Sequence, residues 1–154
     1  MKILFTAFKG IHNSSRQLIS ELNIDKLYLT NSFDGIYRDI ENFDFSSYNT
    51  VIMFGLDSKL KYDIRIESYA KIEMDIQKTV FNVYTLSKQF YLFHINNSIA
   101  KTNTEYLCNY AYFLMLKKMK GRAIFIHIPP EKYLSLELKQ NIIKAFETIF
   151  DDIF

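Results

Sequence analysis

The sequence predicts an α/β protein: a three-layer α/β/α sandwich with a mostly parallel central sheet. Three observations point there. Strand-like and helix-like stretches alternate along most of the chain, which is the order that builds a parallel sheet with helices on both faces. The strand-like stretches around 2–8, 48–55 and 123–128 are rich in apolar and aromatic residues, as buried strands are. Glycine and proline are scarce, four and two, while 49% of the 154 residues are hydrophobic. That favours a compact, ordered fold over a disordered or fibrous chain. The length suits one domain, taken here as 1–154, with a real core.

Each element has a local reason. KILFTAF (2–8) reads as a buried strand running into a loop at Lys9 and Gly10. Over 13–23, Asn13 or Ser14 can cap a helix whose apolar stripe is Leu18, Ile19 and Leu22. DKLYLT is a short second strand, and FDGIYRDIENF a short helix weakened by Gly35. YNTVIMFG (48–55) is a buried strand ended by Gly55, and a polar loop, LDSKLKYD, follows. IRIESYAKIEM alternates with period two and predicts one strand. KTVFNVYTL reads as extended and SKQFYLFHINN as a helix. NTEYLCNYAYFLMLKKMK (103–120) is predicted helical. Its cap candidates are Thr102 to Thr104, its closing lysines complement the helix dipole, and Gly121 stops it. AIFIHIPP is a strand ended by Pro129 and Pro130, and 135–150 forms a last amphipathic helix.

Composition excludes some classes of function. Net charge is +2 with acids and bases interspersed, so no nucleic-acid partner is expected. The N-terminus lacks the long apolar core of a secretory signal, and the uncharged stretch around Cys108 is too short to span a bilayer. No membrane partner is therefore expected. The single cysteine allows no intrachain disulfide, which places the expectation in the reducing cytoplasm.

In open α/β sheets, working residues sit where strands end and helices begin. Three side chains fit that position. Cys108 lies in the first turn or so of a helix, where unpaired N–H groups and the dipole favour a thiolate. His127 ends a buried strand, and Glu67 lies in the strand after the Gly55 loop. Such a set divides the work of acyl transfer: histidine takes the thiol proton, the carboxylate orients the imidazole, and sulfur attacks a carbonyl. Taken alone, the residues leave two readings open, since a cysteine in an apolar helix also serves as a small core residue.

EYLCN (105–109), FIHIP (125–129), MKILFTAF (1–8) and VIMFGLDSKLKYDIRIESYA (51–70) resemble, in the same order, four motifs of the pyroglutamyl-peptidase I (pyrrolidone-carboxylate peptidase) family. The chain resembles a shortened, divergent member, and the resemblance implies a phosphorylase/hydrolase-like sandwich. It implies removal of an N-terminal pyroglutamyl or related acyl group, with a peptide or small acyl-amide as substrate. Cys108 would be the nucleophile, His127 the general base and acid, and Glu67 its orienting partner. Phe8 and Gly55 would be substrate-binding, and backbone N–H groups near Cys108 would bind the oxyanion. No metal or organic cofactor is implied, and homo-oligomers are in keeping with the family. Departures from the motifs fall at the loop after the first strand, where Ile11 stands roughly for a second aromatic, and at Ser68 and Ile72 beside Glu67. Thr104 and Glu105 replace Gly-Thr before the cysteine. A non-catalytic descendant, serving as a small-ligand-binding or homo-oligomeric interaction protein, is the alternative. An active site requires the Cys108 sulfur within reach of one nitrogen of His127 and Glu67 at the other.

Overall fold

The computed structural model describes residues 2–102 and 106–153. A six-stranded mixed sheet has the order β2-β1-β3-β8-β4-β7. β1 (Ile3–Phe8), β2 (Lys26–Leu29), β3 (Thr50–Leu56) and β8 (Ala123–Ile128) run parallel. β4 (Ile64–Glu67) is antiparallel to β8 and parallel to β7 (Asn97–Ile99). The expected three-layer α/β/α architecture with a mostly parallel sheet is what the chain forms.

Each face of the sheet has its own core. On one, α1 (Ser14–Ser20), α3 (Val83–Leu92) and α5 (Leu136–Ile153) pack against Phe5, Ile52, Phe54, Ile64, Ile66, Ile124 and Ile126. On the other, α2 (Phe33–Asn42) and α4 (Leu107–Lys118) pack against Leu4, Phe8, Val51, Met53 and Phe125. The strands therefore bury both faces, which is why their sequences run apolar without alternation.

Local chemistry sets the helix boundaries. Asn13 caps α1 by accepting from the Ser15 N–H, and Ser32 caps α2 by accepting from Gly35. Whatever its cost in helix propensity, glycine is required at 35, because a Cβ there would collide with the Thr30 side chain. α4 ends where Gly121, at φ +81°, returns its N–H to the Leu116 carbonyl. Lys117 and Lys118 occupy its last turn.

Several expectations are corrected. IRIESYAKIEM is not one strand. The chain leaves the sheet after Glu67, and β5 (Tyr69–Ile72) pairs with β6 (Asp75–Lys78) in a separate hairpin against α4. The stretch read as extended holds the start of α3, capped by Asn82 accepting from the Tyr84 and Thr85 N–H groups. α4 starts at Leu107, with Tyr106 as its uncapped N-cap, so Thr102 does not cap it. Thr104 and Glu105 lie outside the described residues.

Candidate active site

β4 and β8 are antiparallel neighbours with Arg65 opposite His127 and Glu67 opposite Phe125. Opposite residues share a face, and alternation sends Arg65, Glu67, Phe125 and His127 to the α4 side while Ile64, Ile66, Ile124 and Ile126 enter the other core. Strand pairing alone thus brings the carboxylate beside the imidazole. Glu67 Oε1 lies 3.1 Å from His127 Nε2, with both residues buried, 6% and 4% exposed. The contact fixes the ring so that Nε2 faces the carboxylate and Nδ1 is the nitrogen left for chemistry.

His127 Nδ1 is buried and has no hydrogen-bond partner among the described residues. The Cys108 thiol is therefore not hydrogen-bonded to it. Cys108 and His127 line the same cavity of about 510 Å³, walled also by Asp57, Arg65 and Tyr106. The His127 ring packs on the Phe125 ring, 4.8 Å between centroids, which fixes its tilt.

Cys108 is a free, partly buried thiol at the second position of α4. Its place depends on Gly55, opposite His127 on β3. A Cβ on Gly55 would come within 2.6 Å of the Phe125 ring and 3.0 Å of the Cys108 sulfur. Glycine here admits the nucleophile's helix to the sheet. The helix start is also anchored by Asn109, whose amide donates to the Lys71 carbonyl at 2.8 Å and accepts the Lys71 N–H at 3.1 Å. That exchange lets one side chain act as a further strand beside β5.

The electrostatics run against the expectation of a stabilised thiolate. Burial pushes the Cys108 thiol up to about 12, and the negative charges of Glu67 and Asp57 add to it, against a smaller opposing contribution from Arg65. The dipole of α4 is outweighed, and the resting thiol is neutral.

Two functional candidates escaped the sequence reading. Arg65 donates from Nε to Glu67 Oε1 at 3.2 Å, and its Nη1 lies 2.6 Å from Asp57 Oδ2. The signal was present in IRIE, where a cation and an anion two residues apart on a strand must share a face. Phe8 is buried beneath the site, its ring 6.5 Å from that of Phe125, and lies outside the cavity lining. Ile11 is exposed.

No protein-family model and no curated protein matches the chain. Solved structures do. The chain is similar to a pyrrolidone carboxyl peptidase from Fervidobacterium islandicum AW-1, with TM-score 0.80, 15% identity, and coverage of 99% of this chain and 98% of that one. It is similar to that from Thermus thermophilus, with TM-score 0.75, 20% identity and coverage of 94% and 96%. It is also similar to an E192I mutant from Pyrococcus furiosus, with TM-score 0.75, 18% identity and coverage of 100% of both chains.

The chain has the pyroglutamyl-peptidase fold. Within that fold, Glu67 on β4 contacts His127 on β8, and Cys108, in the first turn of α4, lines the same cavity as His127. Among the described residues no helix is long and apolar enough to cross a membrane.

Proposed function

We propose that the chain is a divergent member of the pyroglutamyl-peptidase I family, a cysteine peptidase that removes N-terminal pyroglutamate or a related acyl group from peptides. The observation that carries this reading is the His127 imidazole, held at Nε2 by Glu67 and bare at Nδ1, beside the cavity it shares with Cys108. His127 Nδ1 takes the Cys108 thiol proton as sulfur bonds to the acyl carbon. The tetrahedral oxyanion is met by first-turn N–H groups of α4, which have no intrahelical acceptor. The C–N bond then breaks and His127 returns the proton to the leaving amine. Water, deprotonated by the same nitrogen, hydrolyses the thioester and restores the thiol. Because the resting thiol is neutral, the base is needed at the moment of attack, and the step is general-base catalysis rather than attack by a preformed ion pair. Gly55 gives the nucleophile room, and Phe8 supports the floor beneath it. The same reading holds 1–154 to be one domain acting in the cytoplasm, in keeping with the unpaired cysteine.

Hydrolysis of a pyroglutamyl anilide tests this. Turnover should vanish in Cys108→Ser, fall about 10²–10⁴-fold in His127→Asn, and be blocked by alkylation of Cys108, the only cysteine in the chain.

The raised thiol pKa and the absent thiol–imidazole hydrogen bond favour a second reading. In it the chain is a catalytically inactive relative, serving as a small-ligand-binding or homo-oligomeric interaction protein. Wild-type turnover no greater than that of Cys108→Ser would select it.

A further inference from the structure

Glu67 is itself held. Its Oε1, the oxygen facing His127 Nε2, also accepts from Arg65 Nε. The far arm of the same guanidinium reaches Asp57 at 2.6 Å, and Asp57 is fixed at both ends. Its Oδ1 accepts the Lys59 N–H at 2.8 Å, and its own N–H donates to the Ile128 carbonyl at 3.0 Å, at the end of the histidine's strand. The chain of contacts Ile128–Asp57–Arg65–Glu67–His127 therefore starts and finishes on β8. Burial opposes the charge on Arg65, but Asp57 and Glu67 outweigh it and hold the guanidinium more firmly protonated than usual. Asp57 is likewise held ionised: burial opposes its charge, and the Lys59 N–H and Arg65 overcome that.

We propose that Arg65 is a positioning residue, a fork that ties Glu67 to Asp57 and so fixes the rotation and tautomer of His127 beside Cys108. A planar guanidinium suits this because it offers donors at two fixed angles, which a lysine ammonium cannot reproduce. The position also sets the field at the thiol. Arg65 bridges Asp57 and Glu67, the two carboxylates whose charge acts on that thiol, and Lys59, Lys101 and His127 are the other basic residues lining the cavity among the described residues. The inference takes its catalytic meaning from the proposed peptidase reading, but its geometry does not depend on it.

Two readouts need no substrate. The first is the ¹⁵N shifts of the His127 ring, assigned with His127→Asn. The second is the pH profile of Cys108 alkylation by iodoacetamide. In the wild type, Nε2 carries the proton and Nδ1 is bare. In Arg65→Met the ring should show a mixture of tautomers. The alkylation profile should move up by about one pH unit, which is roughly tenfold slower reaction at fixed pH, because the cation is lost. Arg65→Lys, which keeps the charge and guards against misfolding of the methionine variant, should hold the alkylation profile while still mixing the tautomers. In an active enzyme it should lower kcat by about 10²-fold with little change in KM. A wild-type ring tautomer in both variants overturns the proposal, as does a wild-type alkylation profile in folded Arg65→Met. Failure of pyroglutamyl hydrolysis in the wild type with the ring and thiol effects intact would instead remove the peptidase reading and leave the clamp standing.

Discussion

The two faces of β4 and β8 carry different tasks on the same backbone. On the α3/α5 face the alternate residues are Ile64, Ile66, Ile124 and Ile126, all buried in an apolar core. On the α4 face the interleaved residues are Arg65, Glu67, Phe125 and His127, joined by ion pairs and ring contacts. Hydrophobic burial is non-directional and tolerates imprecision, whereas buried charges must be matched within hydrogen-bond distance. Hence the first face anchors the strands and fixes their register, and the second uses that register to hold a polar constellation. A one-residue slip would exchange the faces and bury Arg65 and Glu67 among isoleucines.

The largest effect should come from breaking the anchoring face. Phe146 on α5 packs its ring against Phe5, Phe54 and Phe90, at centroid distances of 5.9, 5.4 and 5.6 Å. Phe146→Ala should cost about 3–5 kcal/mol by urea titration. In the protein that remains folded, the alkylation rate of Cys108 should be unchanged, because no part of that cluster reaches the thiol. A loss under about 1 kcal/mol would mean the cavity collapses freely and the face is not the anchor.

A smaller effect, of opposite character, is expected at Gly55. Gly55→Ala places a methyl against the Phe125 ring and the Cys108 sulfur. Overpacking of this kind costs about 1–3 kcal/mol. Here stability and site chemistry should move together: Cys108 should alkylate at a different rate from wild type in the folded protein. Wild-type stability and reactivity together would show that α4 does not rest on Gly55.

The unequal legibility of the two faces has a physical cause. Apolar content and alternating elements suffice to read the three-layer fold, because burial depends on composition along the strand. The strand β8 and the first-turn place of Cys108 followed from the same logic. The polar face was read only in part. Glu67 and His127 stand out by their place on predicted strands as well as by motif, but Arg65 and Asp57 acquire meaning only through pairing across strands and a loop. The break at Ser68 was hidden since IRIESYAKIEM keeps its alternation while the chain leaves the sheet. β7 escaped because three residues, NSI, carry too little pattern, and only the start of α3 was read as extended, because its β-branched and aromatic residues outweighed the Asn82 cap, while 87–92 read as the helix they form. The neutral thiol had a single sequence signal, Glu105, whose carboxylate opposes a thiolate nearby. Its cause is burial plus two carboxylates brought from other elements, neither visible in the helix that carries the sulfur.

The smallest expected effect concerns acid. Among the described residues, the buried side chains packed with α1, α3 and α5 include polar ones such as Ser15 and Asn97 but no titratable group, so that core does not respond to proton binding. The α4 face does, through Asp57, whose pKa is lowered below its ordinary 3.8 despite burial. A carboxylate with a depressed folded pKa contributes stability that is present above its unfolded value and lost as pH falls through the folded one. The contribution of Asp57 should therefore be complete above about pH 5 and decline below 3.8. Asp57→Asn removes the titration while keeping the shape. Its urea midpoint should lie below wild type near neutrality and converge on it as the solution is acidified, by less than the change from Gly55→Ala. Asp39, lowered by the Thr30 N–H and Lys9 against burial, titrates in the same window and supplies the background slope that both proteins share. If wild type and Asp57→Asn stay equally far apart from neutrality down to about pH 2, the Asp57–Arg65 pair is not linked to folding through protons. The contrast between the faces would then rest on geometry alone.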